Sequence, residues 1–508
     1  MTRRVAVVGG GSSGLACIKC CLDEGLEPVC YESSDDLGGL WRFKENPESD
    51  RASIYHSVII NTSKEMMCFS DFPIPAHFPN YMHNSLIMDY FRMYADNFRL
   101  TKHIRFNTRV LQVKQRSDFS HSGQWDVETE NKDGKKERHV FDAVMICIGH
   151  HCNPNMPLQD FPGIDTFTGK YFHSRDYKTP EEWRNKKAVV IGIGNSGGDI
   201  AVELSRVTKQ VGKSGDTVVV NNIITDFRLF SQHPTVNDDL PNRILSGTIQ
   251  VKPNIRRFQG SSVEFDDGSV VEDVDLVVFA TGYTFSFPFL SSHVISVSEN
   301  KTSLYKYVFP PELQRPTLAI IGLVQPLGAI MPISEIQARW ATRVFKGCTK
   351  LPSVDSMMKD IECKKQKMAQ RYVTSSRHTI QVDYISYMDE IAEQVGVRPN
   401  ILKLLLTDPR LGWNVVFGPC TPYQYRLRGP GKWAGARQAI LTQWERVVHP
   451  MQTRPCNDPK PRRSLMWPII LSAAAVGLAA YVNRSSLPEF LQDPTILLDK
   501  IKASLPAQ

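Results

Sequence analysis

The sequence has little net charge and no long run of one sign. Sixty Lys and Arg against 53 Asp and Glu leave +7 over 508 residues, and basic tracts do not exceed short pairs such as Arg462-Arg463. That lacks the electrostatic footprint of a nucleic-acid binder. A cysteine framework is missing too. The eleven cysteines are an odd, scattered set. Cys17, Cys20 and Cys21 crowd one apolar helical stretch with no second Cys/His pair at zinc spacing, so they read as buried free thiols of a reducing compartment. The N-terminus, MTRRVAVVGGG, has no cleavable small-residue site of a signal peptide. With 42% hydrophobic residues, 22% charged and 32 each of Gly and Pro, the composition excludes a disordered, collagenous or coiled-coil chain. The length suits about two to four domains.

One long uncharged stretch is present. Ser464 to Val482 spans nineteen residues without a charge, which at ~1.5 Å per residue just reaches the ~30 Å of a hydrocarbon core. A Pro- and Arg-rich linker, 453–463, precedes it. Lys460, Arg462 and Arg463 lie before it and Arg484 after it, which predicts that the bulk of the protein is cytosolic. We read 464–482 as a membrane-anchor helix. Its six small Ala and Gly residues leave an interfacial or interdomain helix as the alternative, beside a plain core helix.

The strongest pattern lies at the start. Arg4-Val5-Ala6-Val7-Val8 reads as a buried parallel strand and runs into Gly9-Gly10-Gly11-Ser12-Ser13-Gly14. A helix from Leu15 to about Glu24 follows, then a second strand, Glu27–Tyr31, ending at Glu32. Gly9 suits a tight turn, Gly11 a close backbone approach to a pyrophosphate, and Gly14 close helix–strand packing. The helix N-terminus offers free N–H groups to phosphate, and Glu32 can accept the hydroxyls of an unphosphorylated ribose. Strand, glycines, helix, strand and acid in order point to FAD or NAD. Leu37-Gly38-Gly39-Leu40-Trp41 reads as a loop wrapping the rest of that nucleotide.

A second unit follows. Val189-Val190-Ile191 leads into Gly192-Ile193-Gly194-Asn195-Ser196-Gly197-Gly198 and a helix from Asp199. Two such units suggest one nucleotide held and one exchanged, the logic of a flavoprotein reduced by a nicotinamide. Asp142–Gly149 and Asp275–Tyr283 read as buried returning strands. The expected fold is α/β, with two Rossmann-like dinucleotide-binding domains and a C-terminal hydrophobic helix.

These residues together resemble the vertebrate flavin-containing monooxygenases. Phe167-Thr168-Gly169-Lys170-Tyr171-Phe172-His173-Ser174-Arg175-Asp176-Tyr177 matches the family signature FxGxxxHxxxY. Asn61-Thr62-Ser63-Lys64-Glu65-Met66-Met67, Phe417-Gly418-Pro419-Cys420 and Gly429-Pro430-Gly431-Lys432-Trp433 match as well. The likeness runs over about 1–208 and 232–453. Ile59-Ile60 before Asn61, Gly197-Gly198-Asp199, Ser231-Gln232-His233-Pro234 and Arg315–Gly322 are similar to the isoform-five branch, associated with Baeyer–Villiger oxygenation.

The resemblance implies that NADPH reduces FAD, which then forms a C4a-(hydro)peroxyflavin with O2. Oxygen passes to a ketone, giving an ester, or to a soft amine or sulfide of a xenobiotic. It implies FAD contacts at Gly9, Gly10, Gly11, Ser12, Ser13, Gly14, Glu32, Leu40, Trp41, Asn61 and Thr62. It implies NADP contacts at Ile60, Asn61, Gly192, Gly194, Asn195, Ser196, Gly197 and Gly198. Asn61 is the expected catalytic residue, since an amide supplies donor and acceptor without taking a proton. His173 reads as structural, and Leu86-Ile87-Met88 with Tyr90-Phe91 as core. The implied organisation is an FAD domain from 1–150 and 283–452, an NADPH domain from 151–282 shortened after 208, and a tail at 483–508. The implied location is the endoplasmic reticulum membrane, with the catalytic part facing the cytosol. No metal is expected.

The sequence departs from the family after the second glycine motif. Where relatives carry a strand and an arginine-rich segment for the 2′-phosphate of NADPH, this chain reads Val211 to Phe227 without those arginines. A deletion is expected to remove one sheet strand and weaken NADPH binding. Lys209 or Lys213 is a point charge rather than a fork. A catalytically impaired flavoprotein that retains FAD is the alternative. A disulfide-type reductase is disfavoured, because no cysteine pair has the spacing such enzymes place beside the flavin.

Overall fold

The computed structural model describes residues 2–208, 234–371 and 379–453, together with the backbone of Val218–Asn221. Short apolar strands alternating with helices build two parallel five-stranded sheets. The first contains Arg4–Val8, Glu27–Tyr31, Ile104–Arg105, Ala143–Ile146 and Leu318–Ile320. Arg4–Val8 is central, with Val8 opposite Tyr31 on one side and Ile146 on the other. Val5, Ala6, Val7, Val144, Met145 and Ile146 are wholly buried, as strands covered on both faces require.

The second sheet runs Ile249–Lys252, Val218–Asn221, Ala188–Ile191, Leu276–Phe279, Lys170–His173. Both sheets share one plan. The strand before the glycines is central, the next two strands in the chain stack on one side, and a later strand pairs on the other. Chain direction around the sheet therefore reverses at that strand, which opens a crevice at its carboxyl end. Each sheet also carries a three-stranded antiparallel insertion, at 108–141 in the first and 255–271 in the second. The two passages between the sheets run together, with Asn153 and Pro154 pairing antiparallel with Thr284 and Tyr283.

The expected loss of a sheet strand is not what the structure has. Val218–Asn221 lies in parallel register beside Ala188–Ile191, with Val219, Val220 and Asn221 opposite Val189, Val190 and Ile191. Three consecutive valines supply the β-branched run that suits a strand flanked by parallel neighbours on both sides.

All ten cysteines among the described residues are free, and Cys17, Cys20 and Cys21 are buried. Among the described residues no helix is long and apolar enough to cross a membrane. The expected anchor at 464–482, the tail at 483–508, all but the first residue of the 453–463 linker, Lys209, Lys213 and Ser231-Gln232-His233 lie outside those residues.

Candidate functional site

The first glycine loop is a cradle made by close backbone approaches. Gly9 has φ +104°, and a side-chain carbon there would lie 2.6 Å from the Cys147 carbonyl oxygen. One at Gly14 would lie 1.9 Å from the Gly9 carbonyl oxygen. Only glycine fits either place. The helix Ser12–Asp23 then starts at Gly11 with no side-chain cap, which leaves its first N–H groups for an anion. Glu32 is 8% exposed. One of its oxygens accepts the Gly10 N–H at 2.7 Å, and the other accepts the N–H and hydroxyl of Ser34 at 2.8 and 2.7 Å. The carboxylate thereby fixes the loop. Ser13 instead donates across to the Ser334 hydroxyl at 2.9 Å.

Gly38 and Gly39 close this cradle. The Gly38 N–H donates to the Gly10 carbonyl at 3.1 Å, and a side-chain carbon on Gly39 would stand 3.1 Å from the Gly11 Cα. Leu40 and Trp41 complete the short turn Gly39–Trp41, with Trp41 packed on the main core. Such a groove, lined by backbone and walled by an acid, fits the ribose and diphosphate of a dinucleotide.

The second loop repeats the two closest approaches of the first. Gly192 has φ +99°, with a side-chain carbon 2.6 Å from the Ala280 carbonyl oxygen, and Gly197 would meet the Gly192 carbonyl oxygen at 2.0 Å. Gly194, by contrast, has open space around it. It begins the uncapped helix Asn195–Leu204. Residues 235–237 fold against this loop, an arrangement with no signal in the sequence. The Val236 N–H donates to the Asn195 side chain at 2.8 Å, Thr235 donates to the Ile193 carbonyl, and Thr235 sits 3.1 Å from where a Gly198 side-chain carbon would be. Ser196 lies in the same turn.

Between the cradles runs the segment 55–67. The Tyr55 hydroxyl donates to Asp199 at 2.5 Å and Ser57 donates to Glu203, both on the second glycine helix. Asn61 is exposed, its side chain meeting only the Thr62 hydroxyl at 3.4 Å. Ile60 is 1% exposed, so only its backbone can serve a nucleotide.

Sequence reasoning missed what anchors this segment. Lys64 is buried and donates to the carbonyls of Ala76 and Phe78 at 2.7 Å each, and burial lowers its pKa. Glu65 takes both prongs of Arg446 at 2.9 and 2.6 Å and the Tyr423 hydroxyl at 3.2 Å. The signal available was the charged pair Lys64-Glu65 directly before the apolar run Met66-Met67-Cys68-Phe69.

His173 has both ring nitrogens on backbone. Its Nδ1 accepts the Arg175 N–H at 3.1 Å and Nε2 donates to the Gly282 carbonyl at 2.9 Å. Burial lowers its pKa. Ile87, Met88, Tyr90 and Phe91 are buried core, and Leu86 packs against it. The described residues bring together no cluster able to hold a metal ion.

Comparison with known proteins places this geometry in a wider set. A family model described as flavin-binding monooxygenase-like matches residues 2–226 and 220–484. The two matches meet where the sequence departs from the family pattern. Flavin-containing monooxygenase 5 of Rattus norvegicus is 55% identical over 526 positions, covering 94% of this chain and 98% of the relative. An alignment longer than the 508 residues here opens gaps in this chain. Among solved structures, S-allyl-L-cysteine S-oxygenase from Allium sativum is 26% identical with TM-score 0.68, covering 87% of this chain and 99% of its own. A closed structure of cyclohexanone monooxygenase, 16% identical with TM-score 0.56 over 77% and 97% of the two chains, shares the fold.

Proposed function

The chain belongs to the flavin-binding monooxygenase-like family, and from that premise we propose that it passes one atom of O2 to a ketone, giving an ester, or to a soft nitrogen or sulfur centre of a xenobiotic. It is an FAD-dependent oxidoreductase, and its cofactors are FAD and NADPH. The observation that carries the reading is the repeated glycine cradle, with the exposed Asn61 segment tied to the helix of the second one.

We assign FAD to the first cradle. A carboxylate has about four lone-pair sites, and Gly10 and Ser34 use three at Glu32, leaving one for a ribose hydroxyl. NADPH takes the second cradle, in the open space at Gly194. Bound flavin supplies the oxygen chemistry, and the chain supplies placement and electrostatics. Asn61 offers an N–H donor and a carbonyl acceptor to the reacting region while exchanging no proton. The ketone preference rests on the relatives named flavin-containing monooxygenase 5 and on the residues shared with that branch.

The NADPH half supports a second reading. Asn221 stands opposite Ile191 as Tyr31 stands opposite Val8. Glu32 follows Tyr31 in the sequence, and Asn222 follows Asn221. In sequence, then, an amide follows the second strand where an acid follows the first, and no arginine is among residues 211–227 to offer a 2′-phosphate a guanidinium fork. We therefore propose weakened NADPH affinity and poor discrimination against NADH, with a catalytically impaired flavoprotein as the extreme form.

We also propose that 464–482 anchors the protein in the endoplasmic reticulum membrane with the catalytic part in the cytosol, on its uncharged length and flanking basic residues. Extraction from microsomes by alkaline carbonate would contradict that anchor. For the activity, anaerobic stopped-flow mixing of the FAD-loaded chain with NADPH and NADH tests the reading. Bleaching by both at comparable rates is expected. Bleaching by NADPH alone, as fast as in a full-length relative, would sink the altered-specificity reading, and bleaching by neither would favour the impaired flavoprotein.

A further inference from the structure

Arg51 lies in the loop between the Gly38-Gly39 turn and the Asn61 segment. Its side chain is 11% exposed, yet Nε and Nη1 have no hydrogen-bond partner. Its ion pair with Glu48 is loose, with Oε2 4.0 Å from Nη1. Buried charged donors left unpaired are costly, and a bound anion removes that cost.

The neighbourhood says which anion. Arg51 Nη2 donates to the Gly39 carbonyl at 3.2 Å. Gly39 lies against Gly11, whose helix presents uncapped N–H groups. The guanidinium thus stands beside the first cradle with two donors committed to no protein acceptor. A guanidinium fork matches the oxygens of a phosphate better than any other side chain does.

The loop is held from the other half of the molecule. Arg175, of the signature 167–177, is 6% exposed. Its Nε and Nη2 donate to the Arg51 carbonyl at 3.0 and 2.7 Å, and Nη2 also donates to the Glu48 carbonyl at 2.5 Å. Its Nη1 pairs with Asp176 at 2.9 Å. The signature therefore reaches across to fix the backbone that carries Arg51.

We infer that Arg51 is a clamp on the diphosphate of the flavin dinucleotide, with Arg175 as the positioning residue that holds it there. The inference rests on the assignment of FAD to the first cradle. It gives the signature 167–177 a task besides joining the halves: it couples FAD retention to their docking.

The test is FAD affinity of the full-length chain, read by flavin fluorescence on dilution, with melting of the apo and FAD-loaded forms alongside. R51Q is expected to raise the FAD dissociation constant about tenfold or more, and R51K by less, because lysine keeps charge without the fork. R175M is expected to raise it too. Apo melting should not fall in R51Q, since without bound cofactor the substitution removes unpaired buried donors. R51Q holding FAD as tightly as the unchanged chain overturns the clamp. So does R51Q lowering apo melting as much as holo melting, the mark of a structural role at Gly39. An unchanged chain that binds no FAD overturns the assignment of the cradle itself.

Discussion

Asn61 has almost nothing to do for the fold. It is exposed, and its single side-chain contact is a long one to Thr62. Replacement by alanine should leave folding stability within ~0.5 kcal/mol of the parent and FAD content unchanged, while oxygenated product falls at least tenfold. Denaturant titration and product analysis on the same preparation check both halves of that expectation. The histidines act in the opposite sense, on stability rather than chemistry. Burial holds His150 and His173 below the usual imidazole range and lowers His151 to about 4. The unfolded chain then binds more protons below pH ~6.5, so this stability is complete above that pH and is lost as pH falls toward 4. The urea midpoint should drop between pH 7 and 4.5, and His151→Gln should flatten the drop. An unchanged slope in that variant would contradict the assignment.

At the scale of elements, the two glycine turns separate structure from binding. Gly197 is locked against the Gly192 carbonyl, whereas Gly194 faces open space. Gly197→Ala should destabilise the protein by ~1–3 kcal/mol or more through overpacking. Gly194→Ala should fold and hold FAD normally yet raise the KM for NADPH about tenfold, because the methyl intrudes only on the bound nucleotide. Equal effects of the two on melting would count against a site at Gly194. These turns were readable in the sequence because each glycine marks a place where a side chain cannot fit, a constraint that acts locally. The strand Val218–Asn221 was not read, because its segment departs from the family pattern there. The three valines nonetheless pair in parallel between Ala188–Ile191 and Ile249–Lys252. The packing of residues 235–237 on the second loop also escaped, since one backbone N–H meeting Asn195 leaves no trace in spacing or composition.

Across the whole molecule, the Asn61 segment is held by a residue 381 positions away. Arg446 is the bidentate partner of Glu65, which is 2% exposed. No periodicity links residues so distant, so sequence reasoning identified the 61–67 motif without what secures it. Arg446→Met should leave a buried carboxylate without its cation and cost ~3–5 kcal/mol. It should also lower turnover in whatever protein remains folded, and a loss below 1 kcal/mol would show the pair to be incidental. The halves meet in the same way: two sheets of one plan, joined by paired crossings and by side chains reaching from one glycine helix to the other's loops. On the assignment proposed above, that arrangement would bring a held flavin and an exchanging nicotinamide to one place. The most direct test is product analysis under 18O2, with the FAD-loaded full-length chain, NADPH, and a ketone and a sulfide offered together. The account predicts one 18O atom in each ester or sulfoxide formed, with NADPH consumed in step. NADPH oxidation that yields hydrogen peroxide alone, with no labelled product, would contradict it.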